Sequence, residues 1–396
     1  MVFRNRRSDE GETNKIDKKI DMKIGILTFW WSEDNYGQLL QCYALQKYLK
    51  DIGHEVYLIK YNHFTDIATP KIWQQFYKLC NPKYIVKRIK KGIMQKKEAL
   101  NTRKFNDFRK TYIDFSDVEY LTLTELRNNP PHADAYIVGS DQVWNFRLKN
   151  LDTQQNAIHA YMLDFGTNQT KRISYAASCC YTSLAAGYRD IIVPLLKQFD
   201  AISVREHDGI NFCKDFGRYD AKVVLDPTFL LNTDDYRKLY KESKFIKPQK
   251  SYILFYMIND NNSFDVKKVF TWAKSKKLEV IYVTANSNPV KYNQQFFATI
   301  PQWIGLIDNA EYVITNSFHC CVFSIFFNKK FGVIQRAGSE TTKLMNTRMD
   351  HLFSIFNIQA RYINDFKNIE KDYSISKESF LTQKQESINF LINNLS

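Results

Sequence analysis

The sequence contains no C-x-x-C pair, and its seven cysteines include two adjacent doublets, Cys179-Cys180 and Cys320-Cys321. An odd count with that spacing excludes a disulfide framework and a structural zinc site, and it predicts buried thiols in a reducing compartment. No apolar run approaches the roughly 18 residues of a membrane span, and Met1 to Met22 is too polar for a signal peptide. The expected location is therefore cytoplasmic. G-x-G-x-x-G is absent after the first apolar run, as is the P-loop, so a dinucleotide or nucleotide-triphosphatase site has no support. H-E-x-x-H, G-x-S-x-G and spaced acidic pairs are absent too, and no cluster of metal-ligating residues stands out. No metal and no bound cofactor are expected.

What is present describes a soluble globular protein. The 396 residues are 44% hydrophobic and 25% charged, enough for two domains with more than one core. The formal charge of +14 is concentrated. Thirteen lysines and arginines lie between Lys71 and Lys110, against only Glu98 and Asp107. Within that stretch Trp73, Phe76, Tyr77, Ile85, Ile89 and Ile93 recur at three- and four-residue steps, the pattern of an amphipathic helix. A basic helical segment of this kind suits an anionic partner, either phosphate or the headgroups on the inner face of a membrane. Nucleic acid ranks last, because no recognised binding fold accompanies the charge.

In chain order, residues 1–21 are charged and aperiodic and read as disordered. Lys23–Phe29 reads as a strand, Gly37–Leu45 enters a helix, and Glu55–Tyr61 reads as a second strand. That order is a βαβ unit and implies a parallel sheet. Strands are expected again at Ala135–Asp141, Arg172–Ser178, Ala201–Val204 and Lys222–Pro227, with Pro227 as the stop. Residues 22–231 thus form a first Rossmann-like domain with a basic helical insertion at about 70–110. Residues 232–250 read as a linker. The βα alternation restarts over 251–373, and 374–396 reads as a helix, packed back on the first domain. The fold class is α/β: two doubly wound domains with a cleft between them.

Candidate site residues gather at the carboxyl ends of the expected strands, where such folds place their ligands. They are Asp34, Asn35, Tyr36 and Gly37; Gly139, Ser140 and Asp141; Arg205 and Glu206; and Asn316, Ser317 and His319. The last group lies where the run Tyr312–Thr315 passes into an apolar helix containing Val322, Ile325 and Phe326. Free backbone N–H groups at that junction favour an anion, and a histidine there can trade protons near neutral pH.

Five of these stretches together resemble a known family. Asn35-Tyr36-Gly37-Gln38-Leu39-Leu40-Gln41, Val138-Gly139-Ser140-Asp141-Gln142-Val143-Trp144-Asn145, Ile202-Ser203-Val204-Arg205-Glu206, Leu225-Asp226-Pro227-Thr228 and Ile314-Thr315-Asn316-Ser317-Phe318-His319 are similar to the successive motifs of polysaccharide pyruvyl transferases. The resemblance implies a GT-B-like fold. It also implies transfer of a pyruvyl group from phosphoenolpyruvate to two hydroxyls of a sugar as a ketal, with release of phosphate. His319 falls on the family's catalytic histidine and Arg205 on its motif arginine. By that correspondence His319 protonates the enol or assists phosphate departure, and Arg205 holds the donor's carboxylate or phosphate.

Residue chemistry fits these roles. Carboxylate and phosphate both suit a guanidinium, and protonating the enol calls for an acid with a pKa near neutrality. Asn316 and Ser317 would add neutral donors for the phosphate. A base for the sugar hydroxyl is needed, and Asp34 or Asp141 can serve. Asn35, Tyr36, Ser140 and Asp141 are assigned to the acceptor. The resemblance places the reaction in cell-surface polysaccharide assembly, where the acceptor is often a saccharide on a polyprenyl diphosphate, which Lys71–Lys110 would suit. Two other readings share the sequence: a GT-B glycosyltransferase using a nucleotide sugar, and a non-catalytic family member. The second is motivated by Cys320-Cys321, where the family has glycine and a small residue.

Overall fold

The computed structural model describes residues 22–62, 64, 103–146, 151–179, 183–184, 186–258, 264–285, 295–336, 340–363, 365–373 and 375–396. The expected disordered segment 1–21 and the basic stretch 71–102 lie outside the described residues.

Two all-parallel sheets organise the chain. In the first, β1 (Lys23–Leu27), β2 (Glu55–Tyr61), β3 (Phe115–Tyr120), β4 (Ala135–Gly139), β5 (Lys171–Ala177), β6 (Ala201–Val204) and β7 (Lys222–Val223) lie in the order 3-2-1-4-5-6-7. In the second, β8 (Tyr252–Met257), β9 (Glu279–Thr284), β10 (Gln295–Phe296), β11 (Tyr312–Thr315) and β12 (Lys330–Val333) lie in the order 10-9-8-11-12. Parallel strands covered on both faces need continuous apolar runs, and β4 and β8 are buried along their whole length. Each sheet grows outward in both directions from its first strand. In folds of this kind the ligand site lies at that reversal, beyond the strands' carboxyl ends.

The first helix, α1 (Tyr36–Asp51), begins where the Asn35 side chain accepts the Gln38 N–H. It is buried continuously from Tyr36 to Gln46, as befits a helix with structure on every side. One face lies on the first sheet, and its amino end meets the second domain. There the Tyr36 ring stacks on Trp303 at 5.1 Å and its hydroxyl donates to the Ala298 carbonyl at 2.8 Å. One hydrophobic cluster runs from Ile24 and Leu40 through Tyr36 to Tyr256, Trp303 and Phe323, so the two domains share a core.

The structure departs from the sequence reading in several places. The strand expected over Lys222–Pro227 pairs only at Lys222–Val223. Its chain then turns into a short 3-10 helix, Pro227–Phe229, whose Thr228 N–H is capped by Asp226. Residues 232–250 are not simply a linker, because Thr233–Glu242 is a helix. Arg237 pairs with Asp308 at 2.9 Å and docks that helix on Ile300–Asp308. The edge strand β3 carries no apolar run and was not expected; most of its residues are exposed or half-buried.

The final helix, Lys377–Leu395, lies against the first domain. Its Ser387 Oγ accepts the Leu225 N–H at 2.9 Å, and Phe390 packs on Tyr175. Among the described residues no helix is long and apolar enough to cross a membrane.

Candidate active site

The chemistry gathers where the carboxyl ends of β4, β6 and β7 face the end of β11. Asp226, which follows β7, is the hub. Its Oδ2 accepts from Ser140 Oγ at 2.9 Å and from Arg205 Nη1 at 3.0 Å, and His319 Nε2 stands 3.4 Å away. Its Oδ1 accepts the Thr228 N–H at 3.1 Å and the Thr228 hydroxyl at 2.7 Å. Burial alone would raise the Asp226 carboxyl. The charges of His319 and Arg205 and the Thr228 hydrogen bonds outweigh it and hold the group well below the usual carboxylate range. Asp226 is therefore a fixed anion at neutral pH.

Arg205 leaves β6 into the same space. Its Nε donates to Glu206 Oε1 at 2.8 Å while Nη1 serves Asp226. Glu206 Oε1 also accepts from Ser178 Oγ at 2.9 Å, beyond β5. Burial would weaken the arginine's charge, but Glu206, Asp226 and Asp141 keep it firmly protonated. Its guanidinium lies 4.3 Å over the Phe318 ring, a cation–π contact between the domains. Nη2 is buried without a hydrogen-bond partner among the described residues, and so is Glu206 Oε2.

His319 sits in the first turn of the helix Phe318–Phe326, which Ser317 caps by accepting the Cys320 N–H. His319 is only 5% exposed. One edge of its imidazole faces Asp226, at ion-pair distance but off the alignment of a hydrogen bond, so Nε2 has no formed hydrogen bond. The other edge lies on Gly37, in the first turn of α1. A Cβ on Gly37 would stand 2.1 Å from Nδ1, so only glycine admits the ring. The second domain thus inserts its histidine between a backbone and a carboxylate of the first.

The sequence-derived candidates divide accordingly. His319, Arg205 and Ser140 converge on Asp226. Asp141 adjoins Ser140 at a left-handed φ of 64°, a conformation aspartate tolerates, and is 7% exposed. Asn316 is spent on the backbone: its amide bridges the Ile258 N–H at 2.7 Å and the Ile258 carbonyl at 3.0 Å, tying β11 to β8. Ser317 and Asn35 are helix caps. Asp34 is half-buried and accepts from Ser32 Oγ at 2.8 Å.

Tyr36, assigned to the acceptor from sequence, instead has no exposed surface and anchors the domains to each other. Cys320 and Cys321 turn into the shared core, where burial pushes the Cys320 thiol up to about 12. Two charges of the basic segment also face inward. Arg109 donates to the Trp30 carbonyl at 2.9 Å and pairs with Glu33 at 2.9 Å, bracing the loop before α1, and Arg103 is 3% exposed. Asp226 lies within one of the five motifs but carries no role in the sequence reading, which takes Lys222–Pro227 as a strand that Pro227 stops. Nothing in the sequence pointed to Arg348 or His351, which approach from the helix Glu340–Ile355.

Residues 35–337 match the family described as polysaccharide pyruvyl transferase. The chain belongs to that family. The matched span begins at the cap of α1 and ends just after Arg336, so it contains Asp226, Arg205 and His319. A search of the curated proteins returns no match. Among solved structures, this pyruvyl transferase family member is similar to a UDP-N-acetylglucosamine 2-epimerase from Rickettsia bellii. That likeness has 8% identity, covers 96% of this chain and 97% of the other, and has a TM-score of 0.47. It is also similar to MnaA of S. aureus in a co-structure with UDP, at 11% identity, 94% and 97% coverage and a TM-score of 0.45. Likeness at this level transfers no substrate. The chain has two α/β domains with parallel sheets, with Arg205 on the first and His319 on the second.

Proposed function

We propose that this chain transfers the pyruvyl group of phosphoenolpyruvate to two hydroxyls of a saccharide, closing a ketal and releasing phosphate. The observation that carries this reading is His319, held against Gly37 and Asp226 beside Arg205, in a member of the pyruvyl transferase family. His319 gives a proton to the enol methylene, which becomes a methyl group and leaves an oxocarbenium-like carbon. The anion of Asp226 steadies the imidazolium before that step. One sugar hydroxyl adds to the carbon, phosphate departs, and the second hydroxyl closes the ketal. The hydroxyls release two protons; one restores His319 and the other leaves with phosphate. Asp34 or Asp141 is the base for a hydroxyl. Arg205 offers the donor only its Nη2, since Nε and Nη1 are engaged.

The acceptor is a saccharide on a polyprenyl diphosphate in cell-surface polysaccharide assembly, with Lys71–Lys110 toward its diphosphate or the membrane face. The test is incubation with phosphoenolpyruvate and a panel of lipid-linked and aryl glycosides. Phosphate release is expected together with a carboxyethylidene mass gain on one sugar, and His319→Ala should lower the rate by at least about 100-fold. Thermal stabilisation by a nucleotide sugar, with no phosphate release from phosphoenolpyruvate, would overturn the reading.

A further inference from the structure

Arg205 alone does not balance the charge of this site. Asp141, Glu206 and Asp226 are all buried around it, and two of its nitrogens are already committed to carboxylates. A donor bearing both a carboxylate and a phosphate adds further negative charge. A second cation is needed, and buried polar atoms without partners mark where a ligand completes a site.

Arg348, on the helix Glu340–Ile355, is 4% exposed. Among the described residues it makes no hydrogen bond and no ion pair, and its Nε is buried without a partner. Its guanidinium carbon lies 6.0 Å from the Phe318 ring. The same ring carries Arg205 at 4.3 Å. Two guanidiniums, one from each domain, thus share one phenyl ring next to His319, and each has an unspent N–H. Burying an unpaired cation is costly, so an occupant that repays both guanidiniums is expected.

We infer that Arg348 is a donor-binding residue, which with Arg205 Nη2 grips an anionic oxygen group of the donor over Phe318. This inference rests on the pyruvyl-transfer reading for the identity of the donor, but not for the anion site itself. Phe318 then has a role distinct from its neighbour's: it aligns two cations while His319 supplies the proton.

Calorimetric titration of the full chain with phosphoenolpyruvate and with inorganic phosphate tests this, using wild type, Arg348→Gln and Arg348→Lys. Arg348→Gln should weaken binding by about tenfold to a hundredfold, the loss expected for charge-assisted hydrogen bonds. Arg348→Lys, keeping the charge but not the fork, should recover part of it. The ligand-free melting temperature of Arg348→Gln should not fall, because a lone buried charge is removed. Wild-type affinity in Arg348→Gln, with or without a lower melting temperature, would make Arg348 a structural residue and overturn the inference while leaving the pyruvyl-transfer reading intact. Loss of phosphate binding in Arg348→Gln, where wild type binds phosphate but not phosphoenolpyruvate, would uphold the anion site and reject the donor. A wild-type chain that binds neither ligand would reject both.

Discussion

Gly37 is the residue whose chemistry depends most on having no side chain. Within a helix glycine is disfavoured against alanine by about 1 kcal/mol, so local propensity argues against it. The site requires it nonetheless. A Cβ there would stand 2.2 Å from His319 Cγ and 2.5 Å from His319 Cβ. Turning the ring about χ1 cannot clear the second contact, and Asp226 limits retreat on the far side. Gly37→Ala should therefore keep or strengthen α1 by circular dichroism while turnover with phosphoenolpyruvate falls by about 100-fold, since a displacement near 1 Å is worth that much. Unchanged turnover would mean that His319 is not the proton donor. The strand-end positions of His319 and Arg205 were legible in the sequence because each follows an apolar strand in an α/β alternation. Asp226 was hidden by its second task, since it caps Thr228 as any Asp before Pro-Thr would. Tyr36 misled because a strand-end tyrosine looks the same whether it faces a ligand or a partner domain. Arg348 lies mid-helix, where no spacing rule singles out an arginine.

Among the elements, the contact between His207–Asp215 and Glu340–Ile355 responds to pH. His351 packs edge-on to His207 at 4.8 Å, and Thr347 donates to Asp208 at 3.2 Å. Burial pushes His351 down to about 4, with Glu206 opposing and His207 assisting. The unfolded chain holds this proton below about pH 6.5, whereas the folded chain takes it up only near 4. Between those values the unfolded state binds more protons, so stability is lost as pH falls and the loss is complete below the folded value. At most about 3 kcal/mol is involved. The melting temperature of wild type should fall between pH 7.5 and pH 5, and His351→Gln should show a smaller fall. Equal falls would place the acid sensitivity elsewhere. Legibility at this scale followed burial. β2 and β6 were read at their observed bounds, because parallel strands this deeply buried carry nearly continuous apolar runs. The helix Thr233–Glu242 was read as a linker because only Tyr236, Leu239 and Tyr240 of its residues are buried, too few apolar positions to stand out from a lysine-rich background.

At the scale of the whole molecule, the shared core decides how the protein unfolds. Two doubly wound domains in one chain would ordinarily be separate folding units, and the sequence was divided on that basis. In the structure α1 belongs to both: Tyr36 stacks on Trp303 and lies edge-on to Tyr256 at 5.5 Å. The final helix adds a second tie, with Phe390 on Tyr175 of the first domain and Phe380 on Phe326 and Phe356 of the second. Separating the domains would expose these aromatic faces together, and each fully buried aromatic contributes about 2–3 kcal/mol. Partial unfolding of one domain therefore costs nearly as much as unfolding both. Guanidinium unfolding should give coincident single transitions by far-ultraviolet circular dichroism and tryptophan fluorescence, although the chain exceeds the usual size for two-state behaviour. Trp144 reports the first domain, where it packs on Phe199 and Phe212, and Trp303 reports the junction. Tyr36→Ala removes the stack and the Ala298 hydrogen bond at a cost of about 3–5 kcal/mol. It should split the transition, with Trp303 reporting first. Separate transitions already present in wild type would show that the shared core does not couple the domains, and the junction that holds His319 beside Asp226 would then be free to open.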